Sequence, residues 1–208
     1  MEFINIKNEI SFSSDFNMIS SEKGNIIIDA GFYNNEIKNN IKKYGKIDAI
    51  LLTHGHFDHI QALDEIKLDF PDAKAYIHEK DSDFLKNQML NLSWKHGFDL
   101  QVETKPEKLK EGKFKVGDYE IELIHTPGHT GGSCLYYFKE ENMLFTGDTI
   151  GPEVIGNSYY PTGSDEDMFR SLNKFKNLSL PKDTICVSSH WGIGIYEEIL
   201  KMNPYLKM

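Results

Sequence analysis

The segment Thr53-His54-Gly55-His56-Phe57-Asp58-His59 constrains this chain more than any other, because four metal-ligand side chains crowd in directly after the apolar run Ile50-Leu51-Leu52. Residues two apart do not share a helix face, so His54 and His56 belong to a tight loop leaving a strand. Gly55 lets that loop fold sharply, and a helix is expected to begin near Asp58 and His59. Imidazole and carboxylate groups can then point into one volume, as a zinc-type ion requires. A fold that accepts this segment must leave the end of a buried strand open to a metal-sized polar space.

The same context recurs along the chain. Asp29 closes Ile26-Ile27-Ile28, and His129 lies in His125-Thr126-Pro127-Gly128-His129-Thr130-Gly131-Gly132 after an apolar run ending at Ile124. Asp148 sits in Leu144-Phe145-Thr146-Gly147-Asp148-Thr149, and His190 follows Ile185-Cys186-Val187-Ser188-Ser189. Strand ends gathered on one edge of a sandwich would bring all of these together.

Strand-like runs occur at residues 3–6, 25–28, 49–52, 75–77, 119–124, 134–138, 143–145 and 184–187. Between them, Ile37, Ile41 and Tyr44 share a helical face that Gly45 terminates, and Ala62, Leu63, Ile66 and Phe70 share another that Pro71 stops. Ser164 with Asp167 has capping-box spacing; the helix it opens is expected to bury Met168, Phe169, Leu172 and Phe175 and to expose the acidic turn Asp165-Glu166-Asp167. Two packed sheets covered by helices suit this alternation, although composition alone does not separate that from a doubly wound sheet.

With 208 residues, 39% of them apolar, one domain spanning 1–208 is expected. A net charge of −9 opposes a nucleic-acid partner, which needs a basic face. No cationic start leads into an apolar stretch, and the longest apolar runs are too short to span a membrane. Cys134 and Cys186 read as free buried thiols in a reducing compartment, so a cytoplasmic location without a membrane partner is expected.

Taken in order, Asp29, H-x-H-x-D-H, His129, Asp148 and His190 resemble the five-motif pattern of the metallo-β-lactamase superfamily. The stretches L-L-T-H-G-H-F-D-H, H-T-P-G-H-T-G-G-S and L-F-T-G-D-T are similar to its glyoxalase II-like branch (hydroxyacylglutathione hydrolases), and Asn203-Pro204-Tyr205 resembles the ending of that branch's short members. The resemblance implies an α+β fold, a four-layer αββα sandwich carrying two divalent metals. Zinc suits such ligands best, and iron or manganese tolerates them. It implies His54, His56 and His129 on one metal, Asp58, His59 and His190 on the other, Asp148 bridging, and Asp29 orienting the ligands from outside. Two cations sharing a water lower its pKa to about 7. The implied reaction is hydrolysis of a small-molecule thioester or related acyl substrate, with Asp58 orienting the nucleophile and taking its proton.

Other readings share parts of this pattern. A lactonase uses the same seven ligands, whereas a persulfide dioxygenase uses one iron on two His and one Asp. A β-lactamase is disfavoured, because secretion is expected there and Cys usually bridges. A flavo-diiron protein has Glu where His56 stands, and a non-catalytic metal module sits poorly with a complete ligand set. His78, His96 and His125 read as structural, with His125 bracing the His129 loop. The chain also departs from the branch. Gly156-Asn157-Ser158 lacks the usual cation after the bridging aspartate, Trp191 replaces Gly beside His190, and the C-terminal glutathione-binding helical region has no counterpart. Asn157, Tyr159, Tyr160 and Trp191 are candidates for the substrate wall. Glutathione thioesters are expected to be poorer substrates than smaller or more apolar ones, unless Lys95 or Arg170 supplies the missing cation.

Overall fold

A strand that is apolar at every position buries both faces, and the strands around the ligand motifs do this. Ile26 and Ile28 pack in one hydrophobic cluster and Ile27 in another; Ala49 and Leu51 likewise separate from Ile50 and Leu52. In the computed structural model, which describes residues 1–8 and 13–207, this alternation resolves into two six-stranded sheets face to face.

The first sheet comprises β1 (Glu2–Ile6), β2 (Phe16–Ser21), β3 (Gly24–Ile28), β4 (Ala49–Leu52), β5 (Lys74–His78) and β6 (Glu107–Leu109), in that order. Strands β3 to β6 are parallel, so their carboxyl ends open on one edge. The second sheet comprises β7 (Gly112–Val116), β8 (Tyr119–His125), β9 (Cys134–Phe138), β10 (Met143–Gly147), β11 (Ile185–Ser188) and β12 (Ile193–Ile195), also in sequential order. There β10 and β11 are parallel. Between the sheets, Ile26, Ile28 and Leu51 meet Tyr136, Phe138 and Phe145.

Helices α1 (Asn35–Lys42), α2 (Phe57–Ile60) and α3 (Leu63–Asp69) cover the outer face of the first sheet through Ile37, Ile41, Ile60, Leu63 and Ile66. A short α4 (Gln88–Asn91) lies in the excursion after β5. Helices α5 (Asp165–Lys176) and α6 (Tyr196–Met202) cover the second sheet through Met168, Leu172, Phe175, Tyr196 and Ile199. The four layers are the expected αββα sandwich. Among the described residues, no helix is long and apolar enough to cross a membrane.

Local signals act as anticipated in several places. Gly45 follows α1 at φ 78°, and Ser164 accepts the Asp167 N–H at 3.2 Å. The start of α1 adds a cap not read from the sequence, with Asn34 accepting the Ile37 N–H. Phe169 is a correction: it is 54% exposed, because it lies off the Met168–Leu172–Phe175 stripe that faces the sheet. Strands β2, β6, β7 and β12 add to the expected set. Three of these are short or at sheet margins, and β7 exposes Lys113 and Lys115, a charged pattern that suits an outermost strand.

Candidate metal centre

Each chemistry-bearing side chain leaves the end of a strand on the shared edge. Asp29 follows β3, His54 and His56 follow β4, and Asp58 and His59 lie on α2 immediately beyond. His129 sits in the β8–β9 loop, Asp148 directly follows β10, and His190 comes after β11. Backbone bonds pin α2 in place: Ala30 N–H donates to the His59 carbonyl at 2.7 Å, and Ser14 N–H to that of Asp58 at 2.9 Å. The chain at Gly31 passes so close that a β-carbon there would stand 1.7 Å from the Asp58 carbonyl oxygen.

The ligand-type atoms form three overlapping groups: His54, His56 and His129; His54, His59 and Asp148; and Asp58, His59 and His190. His56 Nδ1 is 2.9 Å from His129 Nε2 and 3.1 Å from His54 Nε2. His59 Nε2 and His190 Nε2 are 3.1 Å apart, and His190 Nε2 is 3.0 Å from Asp58 Oδ2. Asp148 borders both sides, with Oδ1 3.6 Å from His59 Nε2 and Oδ2 3.6 Å from His129 Nε2 and 3.7 Å from His190 Nε2.

These spacings fit a cation. Ligands about 2.1 Å from one ion in a tetrahedral array stand about 3.4 Å from each other. Imidazole nitrogens facing imidazole nitrogens, and a buried Asp148 Oδ1 with no hydrogen-bond partner, fit the same reading. Hydrogen bonds behind the cluster fix its tautomers. His59 Nδ1–H donates to Asp29 Oδ2 at 2.8 Å and His129 Nδ1–H to the Asn157 carbonyl at 2.7 Å, which leaves each Nε2 facing inward.

The electrostatics divide the site. Burial, reinforced by neighbouring histidines, holds His54 well below the ordinary imidazole range, and burial also lowers His56 and His129. Burial opposes the charge on His59 and His190 too, but Asp29, Asp58 and Asp148 outweigh it around His59, and Asp148 and Asp58 do so around His190, so both are raised. Asp58 and Asp148 are lowered in spite of burial by the surrounding histidines. One half offers neutral imidazoles, and the other is a cation-seeking set of carboxylates.

Asp29 stands behind the cluster and bonds the groups around it. The carboxylate also accepts Thr53 N–H at 2.8 Å, the Thr53 hydroxyl and the Ser189 hydroxyl, the latter two at 2.9 Å to Oδ2. One residue escaped the sequence reading. Asp81, fully buried, accepts Gly55 N–H at 2.9 Å, Gly132 N–H at 2.7 Å and the Thr130 hydroxyl at 2.7 Å. It thereby ties the His54–His56 loop to the His129 loop. Burial pushes its carboxyl up to about 6, with the three donors pulling the other way. Its signal was the one that exposed Asp29, an acidic residue just past the end of a parallel strand.

The site opens into a cleft of about 180 Å³ lined by His56, Phe57, Asp58, Leu92, Lys95, His96, His129, Asp148, Asn157 and Tyr160. Tyr160, not Tyr159, forms the aromatic wall, with its ring 5.7 Å from that of His56. Tyr159 is 82% exposed and stays outside the lining. Trp191 stands 6.2 Å from the His190 ring and packs over Gly151, outside the lining as well. Asn157 lines the cleft, and its side-chain oxygen is buried without a partner. His125 Nε2 bonds the Gly131 carbonyl at 2.9 Å inside the His129 loop, and its ring stacks on His78. Arg170 pairs with Glu166 and Asp167 on α5 and does not line the cleft.

Comparison with known proteins agrees with this geometry. The profile of the Metallo-beta-lactamase superfamily matches residues 12–190. A probable metallo-hydrolase of Bacillus subtilis (strain 168) is 33% identical over 187 residues, covering 87% of this chain and 86% of its own. The hydroxyacylglutathione hydrolase GloC of Haemophilus influenzae is 30% identical, covering 89% of this chain and 88% of its own. Among solved structures, the BLEG-1 B3 metallo-beta-lactamase superposes with a TM-score of 0.89 at 29% identity over 100% of both chains.

Proposed function

The chain belongs to the metallo-beta-lactamase superfamily, and from that premise we propose that it hydrolyses a small acyl substrate, a thioester first, at a two-metal centre. The observation that carries the reading is Asp148, whose two carboxylate oxygens border two ligand groups at once. His54, His56 and His129 would hold one divalent ion, Asp58, His59 and His190 the second, and Asp148 would serve both. Such a pair supplies hydroxide at neutral pH and an electrophile for the developing oxyanion.

The chain's own residues do the remainder. Asp58, which would hold the second ion through one carboxylate oxygen, is the acceptor for the nucleophile's proton. Asp29 and the Asn157 carbonyl keep His59 and His129 in the tautomer that presents Nε2. Phe57, Leu92 and Tyr160 make a dry wall for the acyl group. The GloC relative, at 30% identity over most of both chains, favours a thioester as the acyl class. A β-lactam is the second reading, supported by the likeness to BLEG-1.

The test is elemental analysis of protein purified without added metal, followed by thioester, lactone, β-lactam and phosphodiester substrates. Near two equivalents of divalent metal and fastest turnover of a thioester are expected. One tightly bound iron with oxidation of a persulfide would overturn the hydrolase, and preference for the phosphodiester would overturn the acyl class.

A further inference from the structure

The excursion between β5 and β6 brings one lysine to the cleft. Lys95 lies in the 3-10 turn Ser93–His96 and lines the cleft together with Asn157 and Tyr160. Its ammonium is 4.0 Å from the centre of the Tyr160 ring and 5.9 Å from that of Trp94. Both are aromatic faces that attract a cation while leaving its hydrogen-bonding capacity unspent. No carboxylate among the described residues pairs with it.

The turn is built to hold this position. Asn91, fully buried, donates to the Phe84 carbonyl at 2.8 Å and the Leu100 carbonyl at 3.3 Å, and accepts Ser93 N–H at 3.0 Å. Ser93 in turn accepts Leu100 N–H at 3.1 Å, and Phe57 on α2 packs against His96 and Phe98. Asn157 lines the same cleft, and its side-chain oxygen is buried with no partner among the described residues. The Asn157 main-chain carbonyl alone orients His129, which frees the side chain for recognition.

We propose that Lys95, poised over Tyr160 on the His56 side of the cleft, selects substrates that carry a carboxylate a few bonds from the reacting carbonyl. This rests on the acyl-hydrolase reading and names its substrate class. The Tyr160 ring neighbours both the ammonium, at 4.0 Å from its centre, and the His56 imidazole, at 5.7 Å between centres. The cleft itself has room for little beyond the reacting group and its nearest atoms, so the carboxylate sits at its mouth. In a chain of net charge −9, a lysine with no carboxylate partner at the cleft adds a local positive potential that favours an anionic substrate group.

The experiment compares two nearly isosteric substrates, 3-(acetylthio)propanoate and 3-(acetylthio)propanamide, on metal-loaded protein. The wild type is expected to favour the carboxylate in kcat/KM. Lys95→Gln should reduce that preference by about ten- to hundredfold, mainly through KM, with Lys95→Arg restoring most of it. Lys139→Gln, at the opposite end of β9, removes the same charge and should leave the preference within twofold. Calorimetric binding of 3-(benzylthio)propanoate and its amide reads the same preference without turnover. A protein that hydrolyses neither thioester but loses the binding preference in Lys95→Gln would sink the reaction and keep Lys95. A preference that survives Lys95→Gln in both assays would place the carboxylate on the metals and overturn the proposal.

Discussion

Asp29 shows how much a single buried carboxylate can organise. It holds the αL conformation at φ 62° and gathers Thr53, His59 and Ser189, so residues beyond the ends of β4 and β11 depend on one side chain at the end of β3. Asp29→Asn accepts the same backbone conformation but replaces one anionic acceptor with an amide. Metal affinity, measured by competition with a coloured chelator, should fall about 10–100-fold while the circular dichroism spectrum stays unchanged. A loss of metal too large to measure would make Asp29 a ligand. Asp58 differs, because its oxygen faces into the cluster. Asp58→Ala should lower kcat by about 10²–10⁴ with the fold intact, and wild-type turnover in that variant would remove its role as proton acceptor.

At the scale of elements, the centre is a meeting of loops, and Asp81 is the clamp between two of them. Asp81→Ala would leave the buried Gly55 and Gly132 amides without an acceptor, whereas the Thr130 hydroxyl keeps Ser133. Two orphaned donors cost about 2–6 kcal/mol together, so the urea midpoint should drop accordingly, with metal affinity falling in parallel. An unchanged midpoint would mean the loops hold themselves. The elements were legible in the sequence where both faces of a strand are apolar, as in β3, β4 and β10, or where a start or stop is explicit, as at Ser164 and Gly45. They were hidden at the sheet margins, where β7 carries alternating lysines and the apolar signal fades. The site was legible for a related reason: ligands cluster at strand ends in short, dense motifs. Lys95, Asn91 and Tyr160 belong to no such motif, and their meeting depends on how the excursion after β5 folds back over α2.

Across the whole molecule, the candidate ligands are divided between the two sheets. His54, His56, Asp58 and His59 leave the first, and His129, Asp148 and His190 leave the second. The sheets also share the apolar interface of Ile28, Leu51, Tyr136, Phe138 and Phe145, but the polar edge holds several like-signed groups close together. Asp58 and Asp148 face His59 and His190 across this edge, and the carboxylates raise the affinity of both imidazoles for a proton. Bound ions would cross-link both sheets at this edge and relieve that crowding. A ligand that binds only the folded state adds about 4 kcal/mol at a thousand times its dissociation constant. Removing metal with a chelator should therefore lower Tm by several degrees per ion, since 1 kcal/mol is worth about 2–4 °C in a chain of this size. Titrating zinc back should raise Tm in two steps if the half with neutral imidazoles fills before the carboxylate half. The measurement is a thermal melt at a series of buffered free-zinc concentrations, with Phe138→Ala as a control that weakens the apolar interface alone. That variant should melt lower by an equal amount with and without metal. If instead chelation leaves the Tm of the wild type untouched, the two halves are joined by their core only and the centre is not a structural bridge.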